Sequence, residues 1–103
     1  RRAELVARAV RDNLADCLAT LPALLAQTDD ASLHFWFANF DGLRREHFPR
    51  LAAAYAKVSD GDAPLRAAVA MGAEHWLSAA RRLMSLDEHA VAGLASDPVP
   101  IAL

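Results

Sequence analysis

Residues 31–58 read ASLHFWFANFDGLRREHFPRLAAAYAKV, and the rest of the chain is organised around this stretch. It holds six of the seven aromatic residues (four Phe, two Trp and one Tyr) and two of the four histidines. Its apolar residues recur every three or four positions, the spacing that places side chains on one face of a helix. This stripe consists of Leu33, Trp36, Phe37, Phe40, Leu43, His47, Leu51, Ala54, Tyr55 and Val58.

Two interruptions lie within the stripe. Asp41-Gly42 is a dipeptide typical of turns. Pro49 removes a backbone hydrogen bond and restricts the conformation of Phe48. Because the stripe keeps its phase across both, we predict a long helix or a pair of helices, bent rather than reversed, with a break near Asp41-Gly42 or Phe48-Pro49.

Amphipathic patterns also flank the stretch. Residues 2–20 predict a first helix, and Pro22 either kinks it or starts a short second one. Thr28-Asp29-Asp30 is a strong start signal for the helical stretch that follows. The tail SDPVPIAL, residues 96–103, cannot be helical with two prolines so placed, and its alternating apolar residues predict an extended segment or a linker.

The second half of the chain predicts two more helices. Ser59-Asp60-Gly61-Asp62 is the clearest loop, with Asp62 as the expected N-cap. Residues 63–84 show an amphipathic helix pattern, in which Gly72 lies on the core side and permits close helix approach. Ser85 and Glu88 form a capping box, so a short last helix is expected from Leu86 to about Gly93.

Composition agrees with an all-α fold. The chain has 103 residues, which fits one domain, and 54% of them are hydrophobic. We predict a four- to five-helix bundle over residues 1–95 with an extended C-terminal tail over 96–103. The many alanines on the helix flanks favour a homodimer.

Net charge, hydropathy and cysteine content argue against a nucleic-acid-binding protein, a membrane-spanning protein and a disulfide-stabilised secreted protein. A net charge of −2 gives no footprint for nucleic acid. No apolar run reaches the length of about 20 residues that a membrane span needs. The single cysteine, Cys17, is expected to be a small buried side chain, and its lack of a disulfide partner predicts a cytoplasmic setting.

Catalytic signatures are missing from the sequence. It has no Gly-rich phosphate loop and no Gly-x-Ser-x-Gly elbow, so the interpretation leans away from an enzyme. Three histidines follow a glutamate directly, and adjacent helical residues point about 100° apart, so no such pair can chelate one metal ion. A metal site would have to combine Glu46, His47 and His75 from separate helices.

The spacing of Trp36, Glu46 and His47 matches a known motif. Trp followed after nine residues by Glu-His resembles the signature in the helical cap of cobalamin-binding light-sensing transcription regulators. That resemblance implies that these three residues cover the upper face of a corrin ring. The resemblance spans 12 residues, and the Asp-x-His-x-x-Gly motif of that family does not follow it.

The consecutive residues Phe35, Trp36 and Phe37 carry the main functional expectation. One helix face cannot bury all three, so at least one ring points towards a ligand, a partner subunit or solvent, and Phe35 leaves the stripe. We therefore predict a non-catalytic ligand-binding or regulatory protein-interaction module that binds a protein partner, a second copy or a small apolar or aromatic ligand. Its working surface is predicted to involve Phe35, Trp36, Phe40, His47 and Trp76. The alternative is a cofactor- or metal-binding protein (haem, cobalamin or a metal ion) that uses Trp36, Glu46, His47 and His75.

Overall fold

The computed structural model describes residues 2–85 and 101–103, and residues 2–85 form helices joined by turns with no strand among them. The predicted all-α bundle is confirmed. The helices are α1 (Arg2–Ala15), α2 (Leu21–Leu25), α3 (Ala31–Ala38), α4 (Gly42–Glu46), α5 (Pro49–Tyr55) and α6 (Ala63–Met84), with a π-helical segment at Asp16–Thr20 and a 3₁₀ turn at Val58–Asp60. The core lies where α6 packs against α1, the π segment and α5.

The chain passes Pro22 without leaving helical geometry. Thr20 and Leu21 both have right-handed helical dihedral angles, and Pro22 lies in the first turn of α2. The π-helical segment comes directly before it. A π turn widens the helix, and this accommodates the proline ring, which would clash with the carbonyl four residues earlier in a regular α-helix. We expected Pro22 to kink the first helix or to start a second one. In the structure, a π-helical segment joins α1 to α2 without a break in helical geometry.

The middle stretch breaks at both predicted places. Asp41 is extended (φ −144°, ψ −174°) and Gly42 has φ +64°, a left-handed conformation that glycine adopts without strain. Phe48 also leaves helical geometry, and Pro49 begins α5. The single break that we expected is thus two breaks, and three short helices replace the long one. All ten residues of the stripe are nonetheless buried or half-buried, so its prediction of a core-facing side is confirmed.

Acidic side chains at two helix starts act differently from the expectation. Asp30 occupies the N-cap position of α3, yet it is the Asp29 carboxylate that accepts a hydrogen bond, from the backbone N–H of Ala31 (3.0 Å). Asp62 occupies the N-cap position of α6, but its carboxylate accepts a hydrogen bond from Nε of Arg66 (2.9 Å) and does not cap the helix. The start of α3 after Thr28-Asp29-Asp30 and the N-cap position of Asp62 were predicted correctly, whereas the expected cap by the Asp62 side chain does not form.

Helix α6 runs over residues 63–84 as predicted, and Gly72 lies at its closest approach to the rest of the core. A Cβ atom built on Gly72 would lie 2.6 Å from Sγ of Cys17 and 2.6 Å from Cζ of Phe48. Cys17 and Phe48 are both buried, which confirms the expectation for the cysteine. The missing side chain at Gly72 therefore lets α6 pack directly against the π segment and the Phe48 ring.

The predicted last helix, residues 86–93, and the boundary between residues 95 and 96 lie outside the described residues. The end of the tail is described: Ile101 and Leu103 are half-buried and pack against the core. Within the described part of the chain, no helix has the length and apolar character needed to cross a membrane.

Candidate functional site

Three consecutive aromatic rings on α3 point in three directions. The Phe37 ring is buried and stacks on Tyr55, with ring centres 3.9 Å apart and planes inclined by 8°. Trp36 is half-buried and stacks on Phe40 at 5.1 Å. Phe35 is 73% exposed. Successive residues of an α-helix are rotated by about 100° around its axis, so the three rings point in different directions. A helix that buries Phe37 therefore exposes Phe35, two positions earlier, to solvent.

A groove lies beside Phe35, between the end of the π segment with α2 and the face of α3. Its volume is about 590 Å³. The polar groups along it are two hydroxyls and one amide, and apolar side chains make up the rest. The lining residues are Thr20, Leu24, Ala31, Ser32, Phe35, Trp36 and Asn39.

The Arg44 side chain underpins the Trp36 wall of this groove. Its guanidinium carbon lies 5.8 Å from the centres of both the Trp36 and the Phe40 rings, within the range of a cation–π interaction. Its Nη1 donates a hydrogen bond to Oδ2 of Asp16 (3.1 Å), and its Nη2 donates one to the backbone carbonyl of Asn39 (3.2 Å). These contacts place the Arg44 guanidinium against the Trp36 indole ring and restrict the space in which that ring can move.

The Asp16–Arg44 pair is half-buried and joins the π segment to α4. Burial raises the pKa of the Asp16 carboxyl above its ordinary value, while the charge of Arg44 and its hydrogen bond oppose that rise. Asn13 lies one turn earlier, and its Nδ2 donates to the backbone carbonyl of Arg44 (3.3 Å). This pairing was not predictable from the sequence, because Arg44 has Glu46 close to it along the chain and Asp16 lies 28 positions away.

Phe40 and Trp76, two of the predicted surface residues, belong to the core. Phe40 is 2% exposed and Trp76 is 0% exposed. Trp76 packs edge-on against Phe48 with ring centres 5.7 Å apart, and its indole Nε1 has no hydrogen-bond partner among the described residues. Of the five residues predicted at the working surface, Phe35 and Trp36 line the groove and Phe40 supports it from beneath.

The histidine candidates lie apart from the groove. His47 is half-buried, and its Nε2 atom is buried with no hydrogen-bond partner in the described residues. Burial lowers the pKa of His47, a shift that nearby Glu46 opposes and Arg2 reinforces. Nε2 of His75 donates to the backbone carbonyl of Ile101 (2.6 Å).

Glu46 is exposed and lines a different concavity, together with Gly42, Arg45, Pro49 and Ala52. Across residues 2–85 and 101–103, no group of three or more His, Cys, Asp or Glu side chains is placed to hold a metal ion. The geometry therefore adds no support to the predicted set of Glu46, His47 and His75. It also places Trp36 and Glu46 in the walls of separate concavities.

The contact of the tail with His47 and His75 was predictable from the sequence only in part. The backbone N–H of Leu103 donates to the backbone carbonyl of His47 (2.8 Å), while His75 holds the carbonyl of Ile101. Alternating apolar residues predicted an extended tail, but its docking position depends on long-range packing that periodicity does not encode.

Residues 1–97 match the C-terminal domain of a family of unknown function (DUF6866), and the chain therefore belongs to this family. No curated protein and no solved structure gave a significant match.

Proposed function

We propose that this domain is a small, non-catalytic protein-interaction module, and that it binds an apolar surface of a protein partner through the groove beside Phe35. The observation that carries the proposal is the 73% exposure of Phe35 next to a largely apolar groove. Exposed apolar patches that adjoin a concave surface are typical of binding sites.

Burial of Phe35 supplies a driving force for binding. Full burial of a Phe side chain stabilises by about 1.5–3 kcal/mol, and most of the Phe35 surface is still available. The Trp36 wall adds little entropic cost, because its stacking on Phe40 and the Arg44 contacts already restrict the ring. Rigid aromatic side chains of this kind are enriched among the residues that dominate binding energy.

The first experiment is sedimentation velocity of the wild type and the Phe35→Glu variant over a range of protein concentrations. A second copy of the chain is the partner that this experiment probes. We expect the wild type to self-associate and Phe35→Glu to weaken association at least tenfold, about 1.4 kcal/mol, because a buried unpaired carboxylate is costly. Met84→Glu is the matched control, since Met84 is 86% exposed and does not line the groove, and it should associate like the wild type.

Anilinonaphthalene sulfonate, an anionic dye whose aromatic rings fluoresce when bound to apolar surfaces, tests whether the groove also accepts apolar groups of a small molecule. Dye binding to the wild type that Phe35→Glu abolishes and Met84→Glu retains would support the groove as a general apolar site. A monomeric wild type that also fails to bind the dye would contradict the proposal.

A ligand or metal site at His47, from the predicted set of Trp36, Glu46, His47 and His75, is the second candidate. The observation that favours it is the buried Nε2 atom of His47, which has no partner among the described residues. Native mass spectrometry of the freshly purified protein tests it. A mass above multiples of the 11.1 kDa chain that His47→Ala abolishes without loss of helicity would favour this candidate, and bare multiples would favour the interaction module.

A further inference from the structure

We propose that the surface around His47 and His75 is a binding site for an extended apolar peptide, and that Ile101–Leu103 is its resident ligand. Two hydrogen bonds join the tail to the helical body. Leu103 N–H donates to the His47 carbonyl at 2.8 Å, and His75 Nε2 donates to the Ile101 carbonyl at 2.6 Å. The side chains of Ile101 and Leu103 both pack against the core.

The chemistry of these contacts defines the ligand. In an extended segment, the carbonyl of one residue and the N–H two residues later point to the same side, and their two side chains share a face. The His47 carbonyl and the His75 imidazole therefore bind the backbone edge, while the core surface receives the two apolar side chains. Peptide-binding sites that recognise extended segments work in the same way: hydrogen bonds to the peptide backbone provide affinity, and pockets for alternate side chains provide specificity.

The resident segment specifies a pattern: an apolar residue, a small residue and a second apolar residue, as in Ile101, Ala102 and Leu103. The site is distinct from the groove beside Phe35, because neither His47 nor His75 lines that groove.

The tail peptide added in trans tests the site in the full chain. The probe is a synthetic peptide of residues 96–103, SDPVPIAL, titrated into ¹⁵N-labelled wild type and into the Ile101→Asp/Leu103→Asp variant. A tethered tail has an effective concentration of about 1 mM, so against a peptide dissociation constant of about 0.1 mM it should weaken binding to the wild type about tenfold. A scrambled peptide of the same composition should bind neither chain.

The contribution of His75 is tested by two substitutions made in the same variant. His75→Phe removes the donor and should weaken peptide binding by about 2- to 12-fold, the effect of one neutral hydrogen bond. His75→Gln retains an N–H donor and should recover part of that loss. Equal affinities for His75→Phe and the parent would overturn the role of the imidazole.

Amide hydrogen exchange of the wild type tests the same contact without the Ile101→Asp/Leu103→Asp variant, so the result does not depend on whether that variant folds. The Leu103 amide should exchange about tenfold more slowly than an unprotected amide, because the His47 carbonyl accepts its hydrogen while the tail is bound, and millimolar peptide should accelerate that exchange. Binding of the peptide to wild type and variant with equal affinity, no binding to either, or an unprotected Leu103 amide would each overturn the proposal.

Discussion

Gly72→Ala is expected to destabilise the domain, although alanine is the better helix former. The new Cβ atom would lie 2.6 Å from Sγ of Cys17, 2.6 Å from Cζ of Phe48 and 3.0 Å from Cε2 of the same ring. Favourable contacts between carbon atoms lie at about 3.5–4.0 Å, so the shortest contacts are too close by about 1 Å. Because Cys17 and Phe48 are buried, neither side chain can move away freely.

The magnitude follows from two opposing effects. Overpacking of a core costs about 1–3 kcal/mol, and two simultaneous overlaps place Gly72→Ala near the upper end of that range. The gain in helix propensity from Gly to Ala is about 1 kcal/mol. The net loss is about 2 kcal/mol, which for a domain of this size lowers the melting temperature by about 8–16 °C.

Urea unfolding, followed by circular dichroism and tryptophan fluorescence, measures this loss. Ala70→Gly is the matched control, because Ala70 is exposed on the same helix and its substitution should cost only the propensity difference of about 1 kcal/mol. In the double variant Cys17→Ala/Gly72→Ala one overlap is gone, so the two substitutions should show a favourable coupling. A Gly72→Ala variant as stable as the wild type would refute the close approach of α6 to the π segment.

Two further predictions concern titratable groups in the core and at its edge. Burial raises the pKa of Cys17 to about 12, so at pH 8 about one thiol in ten thousand is ionised. A thiol reagent such as dithiobis-nitrobenzoate should therefore label the native chain at least about 1000-fold more slowly than the guanidinium-unfolded chain. Comparable labelling rates would show that Cys17 is accessible in the folded chain. Burial lowers the pKa of His47, so below about pH 6.5 the unfolded chain binds a proton that the folded chain resists, and stability falls as the pH falls. Urea unfolding between pH 7 and pH 5 should show a smaller loss for His47→Gln than for the wild type, and identical pH profiles would contradict the assignment.

Local periodicity was sufficient to predict the buried face of the helices, although it did not show that the middle stretch breaks twice. The stripe from Leu33 to Val58 faces the core throughout, and α6 begins where the Asp60-Gly61 turn and the predicted N-cap at Asp62 placed its start. Both signals act over a few residues, as does the left-handed conformation at Gly42. Such features depend only on residues that are neighbours in the chain, so they can be predicted from a single sequence.

Long-range pairings were not predictable in the same way. The Asp16–Arg44 ion pair and the two hydrogen bonds of the tail depend on which surfaces meet after folding. Near the candidate site, the sequence predicted that at least one of three adjacent rings would leave the core, because they cannot share one helix face, and Phe35 is exposed. It misplaced Phe40 and Trp76 at the surface, because an aromatic residue on a stripe fills a core as readily as it lines a site.

The exposure of Phe35 has no structural explanation within the described chain, and this strengthens its functional interpretation. Leu33 and Phe37 already anchor α3 in the core, so a polar residue at position 35 would leave their packing unchanged. The Phe35 backbone carbonyl accepts a hydrogen bond from Nδ2 of Asn39 (2.9 Å), an interaction that any residue at this position could make. A phenyl ring at this position therefore contributes little to folding. Its apolar surface gains most when a partner covers it together with the Trp36 ring beside it, which is the arrangement expected of a binding hot spot.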